Sequence, residues 1–195
     1  RYGFGTEFSP ECITAGICRP VRLRAWNQAR IVSIGYSQQH DFEANTATVF
    51  IGGLLETSGE SFDNLELSFR IYKATGIDTD GFAYGIIPEL PEEIKTYSAT
   101  NIEVTDDGAF SCIIDISAPE LWYPNGMSPD EATTTPIYKI EGLLYSTENK
   151  ESKAILDQWS ANIGLRTLET IAIDDDENQL AVLCNGKRVF LRGAT

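Results

Sequence analysis

Alternation of apolar and polar residues with a period of two is the feature that most narrows what this chain can become. It is cleanest in Leu65-Glu66-Leu67-Ser68-Phe69-Arg70-Ile71-Tyr72, where Leu65, Leu67, Phe69 and Ile71 fall on one side of an extended backbone. The stretch from Pro136 to Arg166 repeats the pattern. Tyr138, Ile140 and Leu144 share one side and Lys139 and Glu141 the other, and Leu143 and Tyr145 cover the second side near the strand's end. The polar break Ser146-Thr147-Glu148-Asn149-Lys150-Glu151-Ser152 can close a hairpin, and apolar sequence resumes from Lys153 to Ile163.

The same signature marks further strands at Val21–Trp26, Arg30–Ser37, Thr46–Leu55 and Leu168–Ile173. Gly52-Gly53 inside the third of these predicts a bulge or a close backbone approach. Asn101–Thr105 and Gly108–Ile116 are joined by Asp106-Asp107-Gly108, a hairpin signal. Leu180–Cys184 and Arg188–Leu191 flank Asn185-Gly186, the strongest two-residue turn signal in the chain. Helical periodicity is nearly absent, apart from a short helical turn allowed at Pro91–Lys95. About ten strands with turn signals roughly every 8–12 residues predict an all-β fold, an immunoglobulin-like antiparallel β-sandwich. Lys73–Ser98, rich in glycine and proline and without sustained periodicity, is expected to be a long inserted loop.

Charge and composition exclude some functions. The 195 residues carry 15 basic and 29 acidic side chains, a net charge of −14. Nucleic acid and anionic membranes need clustered Lys and Arg, so neither is an expected partner. No apolar run approaches ~18 residues, so no membrane-spanning helix is expected. The sequence begins at Arg1 in strand-like residues and ends at Thr195 just after an apolar strand. It is therefore expected to be an excised piece of a larger protein.

Candidate chemistry is sparse. The one histidine, His40, lies in Gln38-Gln39-His40-Asp41. A Ser–His–Asp triad or a histidine metal site would have to use it, but its polar surroundings point to a solvated turn. Asp174–Asn178 and Asp78–Gly81 resemble calcium loops only in part and are read as solvated turns. No metal, cofactor or catalytic residue is expected. Cys112 and Cys184 sit inside apolar strands, where free thiols pack as small hydrophobes. Cys12 and Cys18 are close enough in sequence to bridge, though nothing forces it, and all four are read as free. Trp26, Trp122 and Trp159 are expected to pack in the core or at an interface rather than stack on sugars. Arg166 is expected to hold a salt bridge or backbone carbonyls.

Several short motifs occur in a fixed order: Gly16-Ile17-Cys18-Arg19-Pro20-Val21, Leu121-Trp122-Tyr123-Pro124, Pro136-Ile137-Tyr138, Asp157 before Ile163-Gly164-Leu165-Arg166, and Asn185-Gly186-Lys187 before Leu191-Arg192-Gly193-Ala194. This order resembles the middle of family 2 glycoside hydrolases, the β-galactosidases, β-glucuronidases and β-mannosidases. The family usually has Trp where Cys18 stands, an aromatic residue or Ile at Leu165, and Asn at Thr195. The resemblance implies three parts: residues 1–28 as the end of a jelly-roll domain, 29–173 as the immunoglobulin-like sandwich, and 174–195 as a hairpin leading into a catalytic TIM barrel. It implies that the two catalytic carboxylates belong to that barrel, so this stretch would be inactive by itself. Its partners would be the jelly-roll and barrel of the same chain and the parent's carbohydrate substrate, in a secreted or periplasmic setting. Trp122, Tyr138, Gly164 and Arg166 would be structural motif residues, and Phe82 and Tyr84 in the inserted loop would lie on an active-site rim. A second class remains open, an independent carbohydrate-binding or cell-surface adhesion module, because a sandwich serves both uses.

Overall fold

The computed structural model describes residues 15–17, 20–21, 23–59, 61–74, 90, 92, 94–127, 135–148, 153–173 and 176–190, with backbone alone at 176–179. These residues hold ten strands and no helix. They are β1 (Ala29–Asp41), β2 (Thr46–Thr57), β3 (Leu65–Lys73), β4 (Thr96–Ala99), β5 (Ala109–Ser117), β6 (Tyr138–Ser146), β7 (Ala154–Ile163), β8 (Leu168–Ile173), β9 (Asp176–Cys184) and β10 (Lys187–Val189). One sheet has the order β1-β2-β5 and a second the order β4-β3-β6-β7. All pairings are antiparallel. The chain changes sheet between β2 and β3, between β4 and β5, and between β5 and β6. Three strands facing four with crossing connections is the expected immunoglobulin-like sandwich.

The core follows from the alternation. Val49 and Ile51 of β2 and Ile114 and Ile116 of β5 face Leu67, Phe69 and Ile71 of β3 and Ile140 and Leu144 of β6, all buried in one cluster. Phe69 and Phe110 stack across the layers at 5.7 Å between centroids. Gly142, beside them on β6, leaves the space that the Phe69 ring fills. Burying side chains of this size supplies about 1.5–3 kcal/mol each, which is what holds two sheets together.

The open edge between β1 and β7 is stitched rather than paired. Each strand carries a bulge, between Ile31 and Ser33 on β1 and opposite Leu144 and Tyr145 on β7. There the Asp157 carboxylate accepts a hydrogen bond from the Ile31 amide at 2.8 Å. Bulges and side-chain caps of this kind blunt an edge that would otherwise invite another strand.

Three sequence expectations need correction. Val21–Trp26 has no strand among its described residues, and Leu23 is 99% exposed; alternation makes a strand only where a partner offers a ladder. Asn101–Thr105 forms a single bridge, Val104 to Phe110, while the edge strand β4 lies just before it, within the stretch expected to be loop. No helix forms among the described residues of 91–95. The loop core at 75–89, with Phe82 and Tyr84, lies outside the described residues, as do Cys12, Cys18, Asp174 and Asp175.

The last three strands form a separate sheet of order β10-β9-β8. Its tight turn has Asn185 at φ +50° and Gly186 at φ +74°, the two positive φ values of a type I′ hairpin.

Candidate functional site

The densest convergence of polar groups sits where the third sheet meets the sandwich. Trp122 arrives there because the segment after β5 is pinned: the buried Tyr138 hydroxyl accepts a hydrogen bond from the Glu120 amide at 3.0 Å. Burial raises the Tyr138 hydroxyl above the usual phenol range, so it stays protonated and neutral. Tyr138 pairs with Ile163, and the next residue, Gly164, meets the Trp122 indole. A Cβ on Gly164 would stand 2.6 Å from the Trp122 Cγ, so only glycine lets the ring lie flat against this backbone. The Trp122 amide donates to the Leu165 carbonyl at 2.8 Å. Arg166 closes the other side, its guanidinium 4.9 Å from the indole centroid and donating to the Gly164 carbonyl at 3.0 Å.

Two amide side chains complete the joint. Gln38 of β1 donates to the Gly164 carbonyl at 3.2 Å and accepts from the Arg166 amide at 3.0 Å, acting as a short length of strand. Asn185 of the β9–β10 turn accepts from the Thr167 amide at 2.8 Å and donates to the Trp122 carbonyl at 2.9 Å. Cys184 beside it is fully buried and free, and burial raises its thiol above the ordinary cysteine value. Tyr138, Trp122, Gly164 and Arg166 thus lie at one end of the sandwich. Gln38 and Asn185 join them there. Asn185 was legible as a turn residue, but nothing in the sequence marks it as a connector, and Gln38 gave no signal at all.

His40 is corrected by the structure. β1 extends through Asp41, so the ring is on a strand rather than in a solvated turn. It is half-buried and stacks on Phe42 at 6.1 Å. Gln38 Oε1 is an acceptor, since a backbone amide points at it, so His40 Nε2 at 2.9 Å must donate. His40 Nδ1 is then a bare buried acceptor with no partner among the described residues. Burial lowers its pKa below the usual histidine value. No hydroxyl or carboxylate among the described residues pairs with it to make it a general base.

A second cluster lies on the outer face of the four-stranded sheet. Glu141 accepts from Arg70 Nε at 2.5 Å and from the Tyr72 hydroxyl at 2.7 Å, with Lys139 Nζ at 3.8 Å. Glu141 is only 3% exposed and Lys139 7%. The alternation of β6 places both residues away from the core, as expected, yet β6 is covered on both faces along its length. Both oxygens of Glu141 are engaged by neighbours, which ties it into the network of this face. Among the described residues no group of three or more His, Cys, Asp or Glu side chains could hold a metal.

The remaining sequence candidates pack locally. Trp159 sits at the core's rim, edge-on to Tyr36 at 6.0 Å, and Trp26 lies under the Arg30 guanidinium at 3.8 Å. Cys112 is a free, half-buried thiol whose pKa burial pushes up to about 11. No helix among the described residues is long and apolar enough to cross a membrane.

Taken together, the fold is an immunoglobulin-like sandwich with a stitched junction, and no catalytic constellation occurs among its described residues. Comparison with known proteins gives that fold a context. β-Mannosidase B of Emericella nidulans is 27% identical over 197 aligned positions, covering 100% of this chain and 19% of the relative. β-Mannosidase B of Aspergillus clavatus is 22% identical with the same coverage. The crystal structure of β-D-mannosidase from Dictyoglomus thermophilum superposes with a TM-score of 0.64 at 21% identity, over 99% of this chain and 20% of that one. β-Glucuronidase 2 of Bacteroides uniformis gives a TM-score of 0.53 at 21% identity, over 86% of this chain and 17% of that one. No family model matches the chain. The chain is thus a β-sandwich stretch like those of family 2 glycoside hydrolases, similar in sequence to β-mannosidases, and it spans about a fifth of the length of the curated relatives it matches.

Proposed function

We propose that this chain is the positioning sandwich of a longer polypeptide that hydrolyses β-linked glycosides, with a β-mannoside as the first substrate to test. Residues 1–28 would close a preceding jelly-roll, 29–173 would form the sandwich, and 174–195 would lead into the catalytic barrel. The observation that carries this is the extent of the likeness: 100% of the chain aligns within 19% of a β-mannosidase. The Trp122 junction supports it, since it locks the third sheet to the sandwich through Asn185 and so would hold an attached barrel in a fixed direction. Rigid placement of this kind matters to an enzyme because a misplacement of about 1 Å far from the chemistry can cost roughly 100-fold in rate.

The test is hydrolysis of aryl β-mannoside, β-glucuronide and β-glucosaminide by the longer polypeptide. Turnover with the mannoside preferred is the expected result. Absence of turnover on all three would sink the proposal.

A further inference from the structure

We propose that Asn125 is a site of spontaneous deamidation and isoaspartate formation in this chain, and that the fold holds Asn185, in the other Asn-Gly pair, unreactive. The sequence has two such pairs, Asn125-Gly126 and Asn185-Gly186. The dipeptide is prone to this chemistry because glycine has no side chain to shield its amide nitrogen and turns with little steric cost. The step needs no catalyst and no co-reactant except water. The glycine nitrogen attacks the asparagine Cγ, a new C–N bond closes a five-membered succinimide, and the Cγ–Nδ2 bond breaks. The amide leaves as ammonia, taking the proton that the glycine nitrogen gives up. Water then opens the ring at either carbonyl. One opening gives aspartate. The other gives isoaspartate, in which the main chain runs through the side chain and is longer by a carbon.

The two glycines are equally open. Both sit in turns at positive φ, +78° at Gly126 and +74° at Gly186, and a Cβ on either would meet nothing within 4 Å. The difference lies in the asparagines. Asn125 is exposed, and its turn is closed by one main-chain bond, from the Met127 amide to the Pro124 carbonyl at 3.0 Å. Its side-chain amide makes no hydrogen bond among the described residues, so nothing there holds Cγ away from the Gly126 nitrogen. Asn185 is half-buried, and its main-chain amide donates to the Thr167 carbonyl at 3.1 Å. Its Oδ1 accepts from the Thr167 amide at 2.8 Å, and its Nδ2 donates to the Trp122 carbonyl at 2.9 Å. To reach the Gly186 nitrogen, Cγ must leave both partners at once. Breaking two hydrogen bonds of ordinary strength slows the step roughly tenfold or more.

The products differ in the same direction. A carboxylate at position 185 could not donate to the Trp122 carbonyl and would set acceptor against acceptor inside the junction. A carboxylate at position 125 adds a charge to an exposed turn. The reactive asparagine is the one whose loss the sandwich tolerates.

Incubation of the 195-residue chain at mildly alkaline pH, in buffer and in urea, tests the proposal. Peptide mass spectrometry with enzymatic methylation of isoaspartate follows both sites. In buffer Asn125 is expected to convert, and Asn185 at least about tenfold more slowly. In urea the two rates should converge. Equal rates in buffer, or an inert Asn125, would overturn the proposal, and an Asn185 that stays slow in urea would overturn protection by the fold. Asn125→Asp and Asn185→Asp stand in for the products. The urea midpoint should be unchanged by the first and lowered by the second. An equal fall for both would overturn the claim that the exposed turn tolerates the change.

Discussion

The two outer faces of the sandwich reverse the ordinary arrangement of polar and apolar surface. On the four-stranded sheet, charged residues are buried: Glu141 and Lys139 are each under 9% exposed, beside the equally buried Tyr72. On the three-stranded sheet, apolar residues are the open ones, Phe50, Leu54 and Ile113. The first face satisfies itself through the Arg70–Glu141–Tyr72 bonds. The second is left uncovered by the described residues of this chain. A buried ion pair is weak evidence for net stability, yet removing one partner is costly because it strands the other charge. An exposed apolar face contributes less to the sandwich, because it is only partly removed from water. The first face is therefore sensitive to the loss of a single partner, and the second is not.

That contrast can be broken by mutation, and the largest effect is expected at Glu141. Glu141→Leu leaves Arg70 and Lys139 without their shared carboxylate and should cost about 3–5 kcal/mol in urea unfolding. An effect below about 1 kcal/mol would mean that the cluster is not holding the face. Gly164→Ala comes next. Its methyl must displace the Trp122 ring, with an expected cost of about 1–3 kcal/mol and a change in tryptophan emission. An unchanged spectrum and stability would show that the junction is loose.

The pH dependence is smaller and has a definite sign. The folded pKa of His40 is depressed by burial, so the unfolded chain takes up a proton more readily than the folded one. Stability contributed by neutral His40 should be complete above the unfolded value of about 6.5 and lost as pH falls through the folded value. His40→Gln should flatten that part of the profile; a profile that keeps its slope assigns the titration elsewhere. The smallest effect is expected at Phe50. Phe50→Ser should lower the stability of the isolated sandwich by no more than about 1 kcal/mol, because 37% of the residue meets solvent and only part of the ring packs on this chain. A large loss would show that the face is part of this chain's own core.

Much of this was legible in the sequence, but unevenly. Leu67, Phe69 and Ile71 announced their burial because alternation alone decides which side of a strand enters a core. Asn185-Gly186 announced its turn because few residues accept two positive φ values. The same alternation put Lys139 and Glu141 on the outer face but could not say that this face is covered, since burial there depends on sequence-distant Arg70 and Tyr72. Val21–Trp26 carried the pattern and found no ladder. The four-residue β4 is too short to show a period. Trp122 and Arg166 were legible as packing and carbonyl-binding residues, but that they meet at Gly164 was not. Their contacts span 42 to 44 positions and join a loop to a strand end, which no local pattern encodes.

The most direct test of the account is to assay the 195-residue chain and the longer polypeptide side by side with an aryl β-mannoside. Release of the aryl group by the longer polypeptide, with the chain alone at the level of the blank, is the expected result. Turnover by the chain alone would contradict it, because the proposed reading places both catalytic carboxylates in a different domain from the sandwich.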